Sequence, residues 1–170
     1  GGGIQPDVTL DKSEETEATK ALMKSDAIFG FANEFYYRNE QIAQPEEYVL
    51  GDQEYKSFVE FLKDGKSNFK TQSEIKFEKA FDLSKQEGLD DGIEPSFNRL
   101  KDELQQQKIQ ELYKNQDRIK EKLSDEIVNR YYYKKGEYIN HIAHSPYIKK
   151  AISILEDENG YRRILMNEKH

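Results

Sequence analysis

Cysteine and tryptophan are absent from this 170-residue chain, which also holds only 2 Met, 3 His and 4 Pro. The missing thiols exclude disulfides, thiolate metal sites and thiol redox chemistry, while leaving the compartment open. No apolar run approaches the ~20 residues that cross a bilayer, and no charged-then-apolar leader opens the sequence. Cations are in deficit: 26 Lys and Arg face 33 Asp and Glu, a net charge of -7 with pI ≈ 5.2. That balance opposes non-specific nucleic-acid binding, which depends on basic side chains releasing counterions from phosphates. An initiating Met is missing too, and the opening "GGGIQPDV" reads as a cut in a longer chain.

What is present is charge and aromatic surface. Hydrophobic and charged residues each make up 35% of the chain, so 11 Tyr and 9 Phe must supply much of the core volume. The length suits one domain with a real core rather than two.

Gly1 to Leu10 joins permissive glycines and a rigid Pro6 to the β-branched Ile4, Val8 and Thr9, which predicts a turn and a short extended segment. From Ser13 to Glu17 the chain turns acidic and cap-like and then continues as a helix, so a boundary is expected near residue 11. In "AIFGFANEFYYRN", Ile28, Phe29, Phe31, Ala32, Phe35 and Tyr36 recur at helical spacing and predict one broad aromatic face. A loop is expected over 39–52, then a helix through "EYKSFVEFLKDG" that ends at Gly65. Thr71 and Glu74 have the spacing of a capping box ahead of Ile75, Phe77, Ala80 and Phe81. Pro95 suits the first turn of a long helix whose stripe runs from Phe97 through Leu112 and Leu123 to Tyr131, with a break near Asn115 and a stop at Gly136. Ser145-Pro146 predicts a last helix start, and "ENGYRRILMN" a turn and a short strand. The expected fold is mainly α, with five or six helices, a short N-terminal extended segment and a C-terminal strand from Tyr161 to Leu165 that pairs with Ile4 to Leu10.

Few residues combine into chemistry. His141 and His144 form a His-x-x-His pair, but no motif supplies the third ligand that a catalytic zinc requires. "DENG" offers Asp157, Asn159 and Gly160 to a calcium loop, yet Leu155 occupies the first ligand position, so the segment reads as a turn. Ser145 and Lys149 would make a nucleophile and base only if the lysine were neutral through burial; with Pro146 adjacent, Ser145 reads as a helix cap. "RYYYKKGEY" interleaves rings and cations as single-strand binders do, and in an acidic chain it reads as a core-facing tyrosine stripe. No lysine or helix follows the opening glycines at the spacing of a phosphate loop. No metal or cofactor is expected.

The opening segment resembles a signature of the C-terminal processing (tail-specific) serine peptidases of clan SK, carried here by Gly1, Gly2, Gly3, Ile4, Pro6 and Asp7. The remainder is similar to the helical C-terminal region of one branch of that family, through "FANEFYYRN", "FVEFLKDG", "IVNRYYYKKGEYI" and "YIKKAISILED". The resemblance implies that residues 1–11 end a catalytic domain and that 12–170 form a C-terminal helical domain. It implies further that the catalytic serine and lysine, and a peptide-binding domain of PDZ type, precede Gly1, so the chain alone has no catalytic residue. The location implied is the cell envelope, or periplasm, of a Gram-negative bacterium.

Expected partners are the chain's own upstream catalytic domain and a protein or peptide substrate or adaptor, with a homo-oligomer as a further alternative; no nucleic acid or membrane span is expected. Docking, substrate or adaptor contact, and oligomerisation are not separated by the sequence. A free-standing helical adaptor unrelated to proteolysis is the competing account.

Overall fold

The computed structural model describes residues 3, 6–10, 15–65, 67, 69–89 and 92–166. Among them are eight helices and no strand: α1 (Glu17–Lys24), α2 (Ala27–Arg38), α3 (Asp52–Lys63), α4 (Gln72–Gln86), α5 (Glu94–Lys114), α6 (Gln116–His144), α7 (Pro146–Glu156) and α8 (Glu158–Leu165). The mainly helical class is as expected, and the larger helix count has local causes. Ser25 Oγ donates to Leu22 O at 2.7 Å and accepts from Ala27 N at 3.3 Å, so one hydroxyl closes α1 and opens α2. Asn115 separates α5 from α6, where the break was expected.

The C-terminal strand is corrected to a helix. Asp157 Oδ1 accepts the Gly160 N–H at 3.0 Å, which caps α8, and Arg162 and Arg163 lie in its last turn, where cations favour a helix end. Its intended partner is absent among the described residues: Val8, Thr9 and Leu10 form no strand, and Ile4 lies outside them.

Other starts and stops follow from single residues. Thr16 Oγ1 accepts the Thr19 N–H at 3.2 Å and is the cap of α1; Ser13 and Glu14 of the expected cap cluster lie outside the described residues. Thr71 and Glu74 form the predicted reciprocal box, with Thr71 N donating to Glu74 Oε2 at 2.7 Å and Glu74 N to Thr71 Oγ1 at 3.3 Å. Gly65 follows α3 at φ 69°, a left-handed conformation that glycine takes without Cβ strain.

The core joins α2 and α3 to α6 and the end of α5, with Leu22, Phe58, Leu112, Ile119, Leu123 and Ile127 fully buried. Burying each of these side chains contributes roughly 1.5–3 kcal/mol before conformational entropy is charged against it. Phe31 centres the aromatic packing, with its ring 5.2 Å from Phe58 and 5.7 Å from Phe61 in edge-to-face geometry. Phe29, predicted on the core face, is instead exposed and lies under the Arg130 guanidinium at 4.7 Å. Arg130 also donates to Phe29 O at 3.0 Å and to Asn33 Oδ1 at 2.7 Å, which pins α2 to α6. The predicted stripe of α5 enters the core only at its C-terminal end; nearer its start, Phe97 stacks on Phe77 and Phe81 of α4 at 4.5 and 3.8 Å, and Leu100 is exposed.

The expected stop at Gly136 is also revised. The chain reverses at Tyr133, with φ 57° and ψ -168°, a region essentially reserved for glycine. Residues 116–132 and 134–144 form two arms that run back along each other, so Asn129 donates to Glu137. Gly136 lies buried against Tyr132 and Val128 of the first arm. A Cβ there would overlap Tyr132 Cβ and sit 3.3 Å from Val128 Cγ1. Glycine serves here as a spacer between arms, not as a helix terminator.

Two substitutions test the reversal by chemical denaturation. Gly136→Ala is expected to cost about 1–3 kcal/mol through overpacking. Tyr133→Gly, at an exposed position, is expected to add about 1 kcal/mol by relieving strain, or roughly 2–4 °C in Tm for a chain of this size.

Candidate functional site

The reversed α6 clamps the loop before α3. Tyr131 Oη donates to Asn39 O at 2.6 Å, and Tyr132 Oη to Ile42 O at 3.3 Å. Asn140 Nδ2 donates to both Pro45 O and Tyr48 O at 2.7 Å, while Ser124 Oγ accepts the Leu50 N–H at 3.3 Å. The tyrosine run therefore secures loop carbonyls with Tyr131 and Tyr132 and leaves Tyr133 exposed.

Between this clamped loop, the two arms of α6 and the start of α7 lies a groove of about 920 Å³. Tyr48, Val49 and Leu50 line one side; Asp117, Glu121, Ser124 and Asp125 line a second; Asn140, His141 and His144 line a third, continued by Pro146 and Tyr147. A smaller cavity of about 190 Å³, reaching Met23 and Lys122, shares Arg118, Glu121, Asp125 and His141 with it.

The reversal brings His141 back over the first arm, with Nδ1 3.7 Å from Glu121 Oε1 and 3.9 Å from Asp125 Oδ2. Burial pushes the Asp125 carboxyl up to about 6, against the opposing pull of His141 and Lys122 and with the support of Glu137 and Glu121. Glu137 goes the other way: burial raises it, but bonds from Lys134 and Asn129 outweigh burial and hold it below its ordinary value. Burial, then Glu54 and Tyr131, hold the Tyr48 phenol protonated well above its ordinary range. Asp125 Oδ1 and His144 Nε2 are both buried without a hydrogen-bond partner, as is the Tyr48 hydroxyl. Native proteins rarely leave such atoms unpaired, so their occurrence along one groove is informative.

The residues singled out in the sequence divide around this groove. His141 and His144 belong to it, together with Ser145. Among the described residues, no three His, Asp or Glu side chains are placed to hold a metal ion. Ser145 is buried at the N-cap position of α7 but makes no side-chain capping bond. Lys149 is exposed, not buried as a serine–lysine pair would need. Asp157 and Gly160 are used in the cap of α8. Of the glycine-rich segment, Gly1, Gly2 and Ile4 lie outside the described residues, and Gly3, Pro6 and Asp7 are exposed. Sequence reasoning missed Glu121, Asp125 and Tyr48; a reversal near Gly136 is the signal that would have paired residue 125 with residue 141.

A family model described as "Probable PDZ-protease, C-terminal helical domain" matches residues 18–155. No curated protein and no solved structure matches the chain.

The Asp125 environment makes a pH prediction. Its folded-state value of about 6 exceeds the ordinary 3.8, so between these values the folded state binds a proton that the unfolded state does not, and stability falls as pH rises through this window. Asp125→Asn is expected to stabilise the chain by about 1–2 kcal/mol at pH 7.5, with the gain vanishing near pH 4. Urea denaturation at both pH values checks this. Asn140→Ala should cost about 2–4 kcal/mol at either pH, because it strips two loop carbonyls of their donor.

Proposed function

The chain belongs to the family of C-terminal helical domains of probable PDZ-proteases, and from that premise we propose that it is the non-catalytic accessory domain of a cell-envelope serine endopeptidase of the C-terminal processing type. The observation that carries this reading is the match over residues 18–155, which takes in α2 to α6, α7 up to Leu155 and most of the groove's lining. The resemblance of Gly1 to Asp7 to the close of such a catalytic domain supports it from the sequence side. In this reading the serine nucleophile and its lysine base lie before Gly1. The helical domain contributes by contacting polypeptide, so that binding energy away from the scissile bond positions the substrate or its adaptor. The groove suits that role: its loop side is held by hydrogen bonds, while its lining residues Tyr48, Asp125 and His144 keep polar atoms without a partner.

Removing residues 12–170 from the full-length enzyme tests this proposal. Hydrolysis of a short fluorogenic peptide is expected to stay within about twofold, whereas kcat/KM for a protein substrate should fall by about tenfold or more. Unchanged turnover of both substrates, with unchanged assembly, would overturn it. The 170-residue chain alone is expected to cleave neither.

A further inference from the structure

We propose that the groove between the arms of α6 and the start of α7 receives an arginine side chain presented by a polypeptide partner. Charge supplies the first argument. Four carboxylates and three Lys or Arg side chains line the groove, and all three cations already have anionic neighbours: Arg118 pairs with Glu15, Lys120 with Asp52 and Lys20 with Glu17. Among the described residues Asp117 has no ion-pair partner, and Glu121 and Asp125 face only the His141 ring, at 3.7 and 3.9 Å, which leaves acidic surface to face an incoming cation.

Hydrogen-bond demand supplies the second argument. Asp125 Oδ1 is an acceptor buried without a donor, and His144 Nε2, one turn along from His141, is likewise unpartnered. The neighbouring Asn140 amide cannot relieve them, because its Nδ2 is committed to two loop carbonyls. A guanidinium brings five N–H donors in a planar fork and can meet several acceptors at once; an ammonium is a compact, strongly hydrated point charge.

Shape supplies the third. Val49 and Tyr147, exposed by 63% and 47%, stand at the groove beside Pro146 and offer apolar surface to the methylene stem. The polypeptide nature of the ligand rests on the accessory-domain reading above; the preference for arginine rests on the groove alone.

The test titrates the 170-residue chain with acetyl-Gly-Arg-Gly-amide at pH 7.5 while following the His141, His144 and Tyr147 ring resonances by NMR. Acetyl-Gly-citrulline-Gly-amide, of matching shape without the charge, is the control, and the lysine peptide is the comparison. Saturable shifts are expected with the arginine peptide, with affinity about tenfold above the citrulline peptide and greater than for lysine. Glu121→Gln/Asp125→Asn should weaken arginine-peptide binding by about fivefold or more. Its circular dichroism should match the parent chain, and the comparison of peptides on the unaltered chain decides the matter even if the variant misfolds. Equal binding of arginine and citrulline peptides, no shift at millimolar peptide, or a folded variant that binds like the parent would overturn the proposal. So would dimerisation through the groove in sedimentation experiments, which would make a second copy the occupant. Arginine-selective binding with no effect of deleting the domain would sink the accessory reading and leave this inference standing; the reverse result would do the opposite.

Discussion

The close approach of the two arms of α6 at Gly136 is the constraint on which the rest of the molecule depends. With no side chain at 136, the returning arm can lie against Tyr132 and Val128. That contact sets the register in which Asn129 meets Glu137 and His141 meets Asp125 and Glu121. It also sets Asn140 beside the carbonyls of Pro45 and Tyr48. Tyr133 holds a backbone conformation that costs about 1–3 kcal/mol, a cost sustained because interactions on both sides over-determine the turn.

Polar contacts therefore do here what a second hydrophobic layer does in a more apolar chain. The loop between α2 and α3 buries Pro45, Tyr48 and Leu50, and a buried loop must find partners for its backbone groups. Four α6 side chains, Ser124, Tyr131, Tyr132 and Asn140, supply them. Each such bond adds only about 1 kcal/mol net, yet its loss leaves a desolvated carbonyl or, at Leu50, a desolvated N–H, so the set specifies the loop's path more than it raises overall stability.

The same economy marks off the groove. Where α6 faces α2 and α3, Arg130, Phe31 and Phe58 make dense and satisfied contacts. Where it faces the groove, Asp125 Oδ1 and His144 Nε2 have no hydrogen-bond partner among the described residues, and Glu121 and Asp125 meet only the His141 ring. The proposed accessory role calls for a surface whose interactions another polypeptide completes, and this face offers one. The asymmetry between its two sides links the packing to the proposed role.

Much of the fold was legible in the sequence because its signals are local. The cap at Thr71-Glu74, the breaks at Gly65 and Asn115 and the helix start at Pro146 depend on residues within a turn of one another, and the helical spacing around Phe31 depends on one helix; Ser145 holds the expected N-cap position without the expected capping bond. "ENGYRRIL" misled because its turn residues also serve as a helix N-terminus once Asp157 caps Gly160. The burial of Phe29 was misjudged because the ring's partner, Arg130, lies about a hundred residues away. The groove was not legible: His141 and His144 stood out, but Asp125, Glu121 and Tyr48 join them only after the chain has reversed at Tyr133 and the loop has been clamped. By itself, the sequence determined an acidic, cysteine-free helical chain and most of its helix boundaries, since those follow from composition and short-range hydrogen bonding. The tertiary structure alone decided which carboxylates face which histidines and which polar atoms stay unpaired, because those depend on how near two distant stretches of backbone come, and here one missing Cβ sets that distance.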